Sequence, residues 1–296
     1  MIKNFINKYN LEYYEEVSLK KYNSYKLDVK AKYLIFPKNE KELKKIMEFV
    51  RKNKIKYLVL GNGSNIIFSC SYYDGIIIKL DRFNDLTIDD VKIKVGAGYS
   101  LVKLALDVAN KGLSGLEFAS AIPGLVGASV AMNAGAYNSS LADVVKSVRV
   151  LYPDGRIRTM RVKDMNFAYR FSFFKNNKEY IILSCKFKLV HGDKKEIIEL
   201  MNRRRIRRLE TQPLEYPSAG SVFRNPDGLY AGKLIEDAGL KGCKSGGAMV
   251  SLKHANFIIN YDRATGDDII KLINKIRNEV KKKFDIDLVL EQIIVN

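Results

Sequence analysis

The sequence predicts an α+β fold in two unequal domains, and three observations lead to this prediction. Short apolar strands alternate with amphipathic helices in the first third of the chain. Strand patterns at residues 148–152 and 157–160 flank the turn Pro153-Asp154-Gly155, as expected for a hairpin. From Gly192 onwards the chain becomes densely charged. We therefore expect one domain over residues 1–191 and a smaller one over residues 192–296.

The first third contains strand patterns at residues 33–36, 57–60, 76–80 and 91–95. Asn39 can cap the helix between the first two strands, because Glu42 follows three residues later. This helix has an apolar face formed by Leu43, Ile46, Met47 and Val50. Ser100 can cap a second helix, which we expect to end near Gly112.

Further elements are indicated in the rest of the chain. Residues 181–189 form a strong strand pattern. A helix over residues 232–238 can end at Gly239, because glycine readily takes the left-handed conformation at a helix C-terminus. A longer amphipathic helix follows, with one apolar side formed by Ile269, Leu272, Ile273, Ile276 and Val280. Residues 288–295 predict a closing strand.

The composition excludes several classes of protein. The three cysteines lack C-x-x-C spacing, and there are only two histidines, which argues against a disulfide framework or a zinc site. So few cysteines also favour a location in the reducing cytoplasm. The N-terminus has no signal-peptide pattern. The longest uncharged run, residues 118–142, contains Pro123, three glycines and Asn133, so we interpret it as buried loop and turn and expect no membrane insertion.

The net charge of +18 is compatible with a polyanionic partner. Lysines are spread along the whole chain, however, and the one dense cluster lies at residues 203–208. This cluster follows residues 196–200 in a single helix pattern, so its arginines surround much of the helix. We interpret it as a solvated or phosphate-facing helix, because no nucleic-acid-binding motif accompanies the charge.

Two glycine-rich stretches suggest a bound nucleotide. Gly61-Asn62-Gly63-Ser64-Asn65 directly follows an apolar strand, and converging backbone N–H groups in such a loop can bind phosphate. It lacks the lysine of a Walker loop, and by itself it is equally compatible with a tight turn. The runs at residues 115–127 and 132–137 are rich in small residues, which lets backbone approach a large flat ligand. Together these stretches suit a dinucleotide such as FAD.

Six motifs in order resemble one family. They are Leu60-Gly61-Asn62-Gly63-Ser64-Asn65, Gly115-Leu116-Glu117-Phe118 with Ile122-Pro123-Gly124, Met132-Asn133-Ala134-Gly135-Ala136-Tyr137, Tyr169-Arg170, the stretch from Pro217 to Pro226, and Gly246-Gly247-Ala248. The chain resembles UDP-N-acetylenolpyruvoylglucosamine reductase, the MurB family, over residues 23–295. It resembles the shorter type, because residues 222–251 leave no room for a tyrosine-bearing loop.

The resemblance implies a fold and a reaction. It implies an FAD-binding domain of the vanillyl-alcohol-oxidase type, in two subdomains split near residue 80, followed by a smaller α+β substrate-binding domain. NADPH reduces the FAD, which then reduces the enolpyruvyl ether of UDP-N-acetylglucosamine to UDP-N-acetylmuramate, in peptidoglycan precursor synthesis. We expect a monomer with no nucleic-acid partner.

The resemblance also implies three catalytic residues. Arg170 matches the arginine that binds the substrate carboxylate, and a guanidinium can fork onto a carboxylate. Glu291 matches a glutamate near the C-terminus, although Leu290-Glu291-Gln292 departs from the family's Leu-Glu-Pro-Glu-Val. Ser221 matches the serine that donates a proton. A nucleophilic role for Ser221 is unsupported by the residues themselves, because G-x-S-x-G is absent and neither histidine lies in a triad-like context.

The predicted ligand contacts follow the same motifs. Substrate contacts are expected at Tyr169, Asn225, Lys233 and Asn256. Cofactor contacts are expected at Gly61, Asn62, Gly63, Ser64, Asn65, Ser120, Ile122, Pro123, Gly124, Gly127, Asn133, Gly135 and Ala136. The chain has Ala121 and Ala128 where the family commonly has glycine, so its affinity for FAD could differ. No metal is expected.

Two alternatives remain at this stage. One is another flavoprotein oxidase on the same FAD domain, although no residue for covalent flavin attachment is evident near the glycine loops. The other is a basic nucleic-acid-binding module, which rests on the net charge of +18 alone. Flavin absorption by the purified protein would distinguish the second alternative from a flavoenzyme.

Overall fold

The computed structural model describes residues 1–296, which form two compact units that interleave along the chain. The first unit comprises Met1–Glu15, Lys32–Gly61 and Asp74–Ile206, and the second comprises Glu16–Ala31, Asn62–Tyr73 and Arg207–Asn296. The predicted domain division between residues 191 and 192 stays a prediction. The α+β class is confirmed, with helices and strands mixed in both units.

The helices are α1 (Ile2–Lys8), α2 (Glu40–Lys52), α3 (Leu101–Ala109), α4 (Val126–Ala131), α5 (Leu141–Val144), α6 (Phe173–Asn176), α7 (Lys194–Thr211), α8 (Ala231–Asp237) and α9 (Gly266–Phe284). The strands are β1 (Glu12–Ser18), β2 (Lys30–Phe36), β3 (Tyr57–Val59), β4 (Ile66–Phe68), β5 (Tyr72–Ile78), β6 (Leu86–Asp89), β7 (Lys92–Gly96), β8 (Leu113–Ser114), β9 (Gly135–Ala136), β10 (Ser139–Ser140), β11 (Val145–Leu151), β12 (Ile157–Arg161), β13 (Ile181–Lys188), β14 (Val190–His191), β15 (Lys244–Ser245), β16 (Ala248–Val250), β17 (Ile258–Asn260) and β18 (Ile293–Val295).

Two sheets and one continuous core organise the first unit. One sheet has the order β1-β2-β5-β3, with β3 and β5 parallel, and the other has the antiparallel order β12-β11-β13-β7-β6. Alternation along β13 buries Cys185 and Phe187 and exposes Lys186 and Lys188, as expected for a strand with one buried face. Helix α4 packs against β13 and β7, which positions the small-residue run on this sheet.

The second unit is built around α9 and the C-terminal strand. Helix α9 begins with a capping box of Thr265 and Asp268, and it packs on β15 and β16 of the sheet β15-β16-β17. Strand β18 pairs in parallel with β4, with Ile293 opposite Ile66. The second unit therefore joins three parts of the chain that are far apart in sequence.

The locally encoded elements agree with the sequence predictions. Asn39 accepts a hydrogen bond from the Glu42 N–H, and Ser100 accepts one from the Lys103 N–H. Strands β11 and β12 form the predicted hairpin. Gly239 follows α8 with φ +75°, the left-handed conformation expected after a helix C-terminus.

Two predictions were wrong in part. The uncharged run at residues 118–142 contains the helix α4 as well as loops, because α4 packs on the sheet. The closing strand is confined to β18, since residues 288–292 contribute a single bridge, between Leu290 and Phe223. Helix α7 is exposed over most of its length, as predicted, and buries Ile197 and Met201. None of the helices is long and apolar enough to cross a membrane.

The close approach of α9 to β4 gives a testable prediction. A Cβ at Gly266 would lie 1.8 Å from the Phe68 carbonyl oxygen, so Gly266→Ala should lower the free energy of unfolding by about 2–3 kcal/mol. Urea denaturation measures this change. Gly232→Ala in α8 is the control, because its Cβ would meet nothing closer than 3.4 Å and alanine favours helix by up to about 1 kcal/mol. Equal stability of the two variants would contradict the packing described.

Candidate active site

The glycine loop at residues 61–65 has the properties of a phosphate-binding loop. The backbone N–H groups of Asn62, Gly63 and Ser64 donate to no protein acceptor. Gly63 has φ +63°, and a Cβ there would lie 2.3 Å from the Tyr22 carbonyl oxygen, so glycine is required. Successive free N–H groups are the donors that a diphosphate accepts. The loop therefore fits the diphosphate of a dinucleotide.

A buried lysine supports the first residue of this loop. Lys79 is 3% exposed, and its Nζ donates to the Gly61 carbonyl oxygen at 2.6 Å and lies 3.2 Å from Asp81 Oδ1. Burial lowers the pKa of the Lys79 ammonium, and the Asp81 carboxylate opposes this shift. Ammonium–carbonyl bonds are stronger than neutral ones. Lys79 therefore fixes the position of Gly61.

Arg170 lies in a turn that is tied to the small-residue run. Arg170 has φ +53°, a conformation uncommon outside glycine, and its Nη2 donates to the Gly135 carbonyl oxygen at 2.7 Å. Asn133 is buried, and its Nδ2 donates to the Ala168 carbonyl oxygen at 2.8 Å. The guanidinium also lies 5.2 Å from the ring of Tyr169. The two segments thus brace each other through reciprocal hydrogen bonds.

Packing within the protein accounts for several glycines that were predicted to contact a cofactor. A Cβ at Gly127 would lie 2.7 Å from Ala97 Cβ, one at Gly135 would lie 2.4 Å from the Ser139 carbonyl oxygen, and one at Gly124 would lie 2.6 Å from Ser129 Oγ. Close backbone approach is thus required with or without a ligand. Cofactor contacts at these glycines and at Ser120, Ile122, Pro123 and Ala136 stay predictions.

Ala128, one of the two departures from the family pattern, lies beside the glycine loop. A Cβ at Gly61 would lie 3.1 Å from Ala128 Cβ, and Ala128 is exposed. The additional methyl group is therefore at the surface that a loop-bound ligand would approach. The predicted effect on FAD affinity stays a prediction.

In the second unit, the segment that follows Ser221 pairs through its backbone with the segment that carries Glu291. The Glu291 N–H donates to the Val222 carbonyl oxygen at 2.8 Å, and the Arg224 N–H donates to the Val289 carbonyl oxygen at 2.9 Å. Ser221 is partly exposed and follows Gly220, which has φ +76°. The chain therefore places a hydroxyl and a carboxyl on adjacent extended segments.

The predicted substrate residues of this unit differ in their surroundings. Asn225 is exposed, and its Oδ1 accepts the Ala231 N–H at 3.1 Å. Lys233 is exposed and pairs with Asp237 at 2.6 Å. Asn256 is 4% exposed, and its side chain accepts the Phe223 N–H and donates to the Phe223 carbonyl oxygen. Both the oxygen and the nitrogen of the Asn256 side chain thus bond to the segment after Ser221.

His254, two residues before Asn256, is half-buried. Burial lowers the pKa of its imidazole, and the Lys241 ammonium acts in the same direction while Glu236 opposes it. Its Nδ1 accepts the Asn256 N–H at 3.2 Å, which requires that nitrogen to be unprotonated. His254 is therefore held neutral beside Asn256.

Sequence reasoning missed two buried polar residues that support the site. Lys79 interrupts the apolar run Ile76-Ile77-Ile78, and Gln292 lies between Glu291 and Ile293 where the family pattern has valine. Gln292 is 4% exposed and contacts the backbone before Ser221. A polar side chain at an apolar position of a strand was the available signal in both cases.

Comparison with family models identifies both parts of the chain. Residues 31–161 match the model described as an FAD binding domain. Residues 212–295 match the model described as the UDP-N-acetylenolpyruvoylglucosamine reductase C-terminal domain. The glycine loop and Lys79 fall in the first match, and Ser221, Asn225 and Glu291 fall in the second.

Individual proteins agree over nearly the full length. The chain is 41% identical over 290 residues to UDP-N-acetylenolpyruvoylglucosamine reductase of Lactobacillus helveticus, covering 98% of this chain and 97% of the relative. It is 43% identical over 277 residues to the reductase of Caldanaerobacter subterraneus, covering 94% and 91%.

Solved structures agree as well. The crystal structure of the Thermus caldophilus reductase has a TM-score of 0.81 and 34% identity, and the match covers 97% of this chain and 99% of that one. A grass pollen allergen with glucose dehydrogenase activity has a TM-score of 0.51 and 16% identity over 66% of this chain and 45% of its own, which shows a shared fold alone.

The contact between Lys79 and Gly61 gives a testable prediction. Lys79→Met removes a charge-assisted hydrogen bond worth about 1.5–3 kcal/mol, so the apoprotein should bind FAD at least about tenfold more weakly. Titration of the apoprotein with FAD, followed by quenching of flavin fluorescence, measures the dissociation constant.

The matched control is Lys32→Met, which removes an exposed ion pair with Asp74 on the same sheet and should leave FAD binding unchanged. Binding of FAD by the Lys79 variant within about twofold of the unmodified protein would show that Lys79 does not support the loop.

Proposed function

Because the chain belongs to the UDP-N-acetylenolpyruvoylglucosamine reductase family, we propose that it reduces the enolpyruvyl ether of UDP-N-acetylglucosamine to UDP-N-acetylmuramate, with NADPH as the reductant. The observation that carries the catalytic part of this proposal is the pairing of the Ser221 segment with the Glu291 segment. We place the enzyme in the cytoplasm, where its three free thiols would stay reduced.

The glycine loop and Lys79 suit FAD. The free N–H groups of the glycine loop are suited to its diphosphate, and Lys79 keeps the loop in place. Bound there, FAD would supply the hydride chemistry that links oxidation of NADPH to reduction of the enolpyruvyl double bond. The small side chains of the run at residues 132–137 let backbone approach a flat ring system.

Arg170 and Glu291 are assigned to the charge that develops on the substrate. The double bond is conjugated to a carboxylate, so hydride addition leaves an enolate-like group with charge on the carboxyl oxygens. The Arg170 guanidinium would bind those oxygens, and its hydrogen bond to Gly135 supports this role because it fixes the side chain beforehand. The Glu291 carboxyl group, when protonated, would donate a hydrogen bond to the same charge.

Ser221 is assigned the transfer of one proton. A serine hydroxyl is a poor acid, yet the carbanionic carbon opposite the hydride acceptor is a far stronger base. Neither histidine pairs with Ser221, which supports a proton donor over an activated nucleophile. The partial exposure of Ser221 is compatible with access for the substrate.

The substrate contacts divide into two groups. We propose that Tyr169, Asn225 and Lys233, which are exposed, contact the substrate. For Asn256 we propose support of the Ser221 segment in place of direct contact, because its amide is buried and bonded to Phe223.

The activity itself is tested with the purified protein. It should be yellow, and it should oxidise NADPH only when UDP-N-acetylglucosamine enolpyruvate is present. NADPH absorbance at 340 nm gives the rate, and NADH in place of NADPH gives the preference of the reductant. A colourless protein that binds RNA in a salt-sensitive way would contradict the proposal.

The role of Ser221 is tested with Ser221→Ala. Loss of the proton donor should slow flavin reoxidation by the enolpyruvyl substrate by about 10²-fold or more, while NADPH still reduces the flavin at an unchanged rate. Stopped-flow flavin absorbance separates the two half-reactions. Ser218→Ala is the matched control, since Ser218 lies in the same loop and is assigned no proton. If reoxidation by Ser221→Ala matches that of the unmodified enzyme, Ser221 is not the donor.

A further inference from the structure

Gln292 lies beneath the loop that carries Ser221. Its Nε2 donates to the Ala219 carbonyl oxygen at 3.0 Å and to the Gly220 carbonyl oxygen at 3.1 Å. These are the two carbonyl groups directly before Ser221. With 4% exposure, Gln292 makes these bonds away from solvent, where hydrogen bonds are strongest and an unmade bond is most costly.

The orientation of the Gln292 amide is determined by its partners. Two carbonyl oxygens can only accept, so the NH₂ end must face them and both of its hydrogens are used. The opposite end, Oε1, accepts the Tyr25 O–H at 3.0 Å. Tyr25 is fully buried, and burial raises the pKa of its phenol, so the hydroxyl keeps its proton. Every polar atom of the Gln292 side chain thus has a partner.

Gly220 is the part of the loop that most needs such support. It has φ +76° and open space around the position of a Cβ, so neighbouring side chains do not restrain it. The segment after Ser221 is held separately, because Val222 and Phe223 donate to the Asn256 backbone and side-chain oxygens. Ser221 is therefore clamped by Asn256 on one side and by Gln292 on the other.

We propose that Gln292, oriented by Tyr25, is a positioning residue for Ser221. It holds the Ala219 and Gly220 carbonyl groups and thereby fixes the direction in which the Ser221 hydroxyl is presented. The inference rests on the proposed role of Ser221 as proton donor.

The test uses the full-length flavin-loaded enzyme with Gln292→Met, which keeps the shape and removes the donors. A hydroxyl displaced by about 1 Å is expected to slow flavin reoxidation by about tenfold or more, with the rate of flavin reduction by NADPH unchanged. Reoxidation in D₂O should show a larger solvent isotope effect than in the unmodified enzyme, because proton transfer becomes rate-limiting. A purely structural role would not change the isotope effect.

Two further variants keep the test decisive. Tyr25→Phe leaves Oε1 without its donor while the carbonyl groups still orient the NH₂ end, so it should fold and show the same changes at smaller amplitude. Asn260→Leu is the matched control, because the Asn260 amide forms its hydrogen bonds with the Tyr25 carbonyl oxygen and the Ala264 N–H, outside residues 219–221. It should lower stability without selective slowing of reoxidation.

The outcomes separate this inference from the proposed function. If Ser221→Ala abolishes reoxidation while Gln292→Met and Tyr25→Phe show the unmodified rate and isotope effect, the positioning role is wrong and the donor assignment stands. Equal slowing of both half-reactions by Gln292→Met would also overturn the positioning role. If Ser221→Ala itself reoxidises normally, the proposed function of Ser221 fails first.

Discussion

Backbone pairing of the last residues holds the segment after Ser221 in the second unit. Val289 and Glu291 exchange hydrogen bonds with the segment at residues 222–224, and β18 then pairs in parallel with β4. One short stretch therefore joins the Ser221 loop to the strand that continues from the glycine loop. In the same stretch Gln292 is buried, between the partly exposed residues Glu291 and Ile293.

In the first unit, two positively charged side chains hold backbone segments in place by donating hydrogen bonds to carbonyl groups. Lys79 donates a hydrogen bond to the Gly61 carbonyl, and Arg170 donates one to the Gly135 carbonyl. Each bond fixes a glycine, which has no side chain of its own to anchor it. Burying the Lys79 ammonium is costly, and the bond to Gly61 together with nearby Asp81 offsets that cost. Glycine-rich backbone is flexible, so a loop that presents N–H donors has to be restrained by residues outside the loop. Lys79 and Arg170 provide this restraint.

Sequence reasoning succeeded where the determinant is local. The caps at Asn39 and Ser100 and the left-handed Gly239 depend on a few neighbouring residues, and all three agree with the structure. It failed where the determinant is a distant partner. The residue at which β18 begins depends on its pairing with β4. Helix α4 forms where it packs on the sheet, although its residues are small.

For the site, motif order was sufficient to predict the family, which the relatives confirm. The predicted cofactor contacts at Gly127 and Gly135 stay predictions, and close packing within the protein is a second reason for glycine at both positions. Motif order missed Lys79 and Gln292, whose importance arises from carbonyl groups that only the folded chain brings within reach. Resemblance transfers the residues of a motif, whereas supporting residues have to be found by following the hydrogen bonds of the structure.

The interleaved order of the two units has a consequence for folding during synthesis. Segments Glu16–Ala31 and Asn62–Tyr73 leave the ribosome early, yet their partners lie in Arg207–Asn296. Tyr25 cannot bond to Gln292, and β4 cannot pair with β18, until the last residues have been synthesised. All residues of the first unit have been synthesised before that point. Until then, strand edges and apolar groups of those early segments lack their native partners, which is the condition that favours aggregation of partly folded chains.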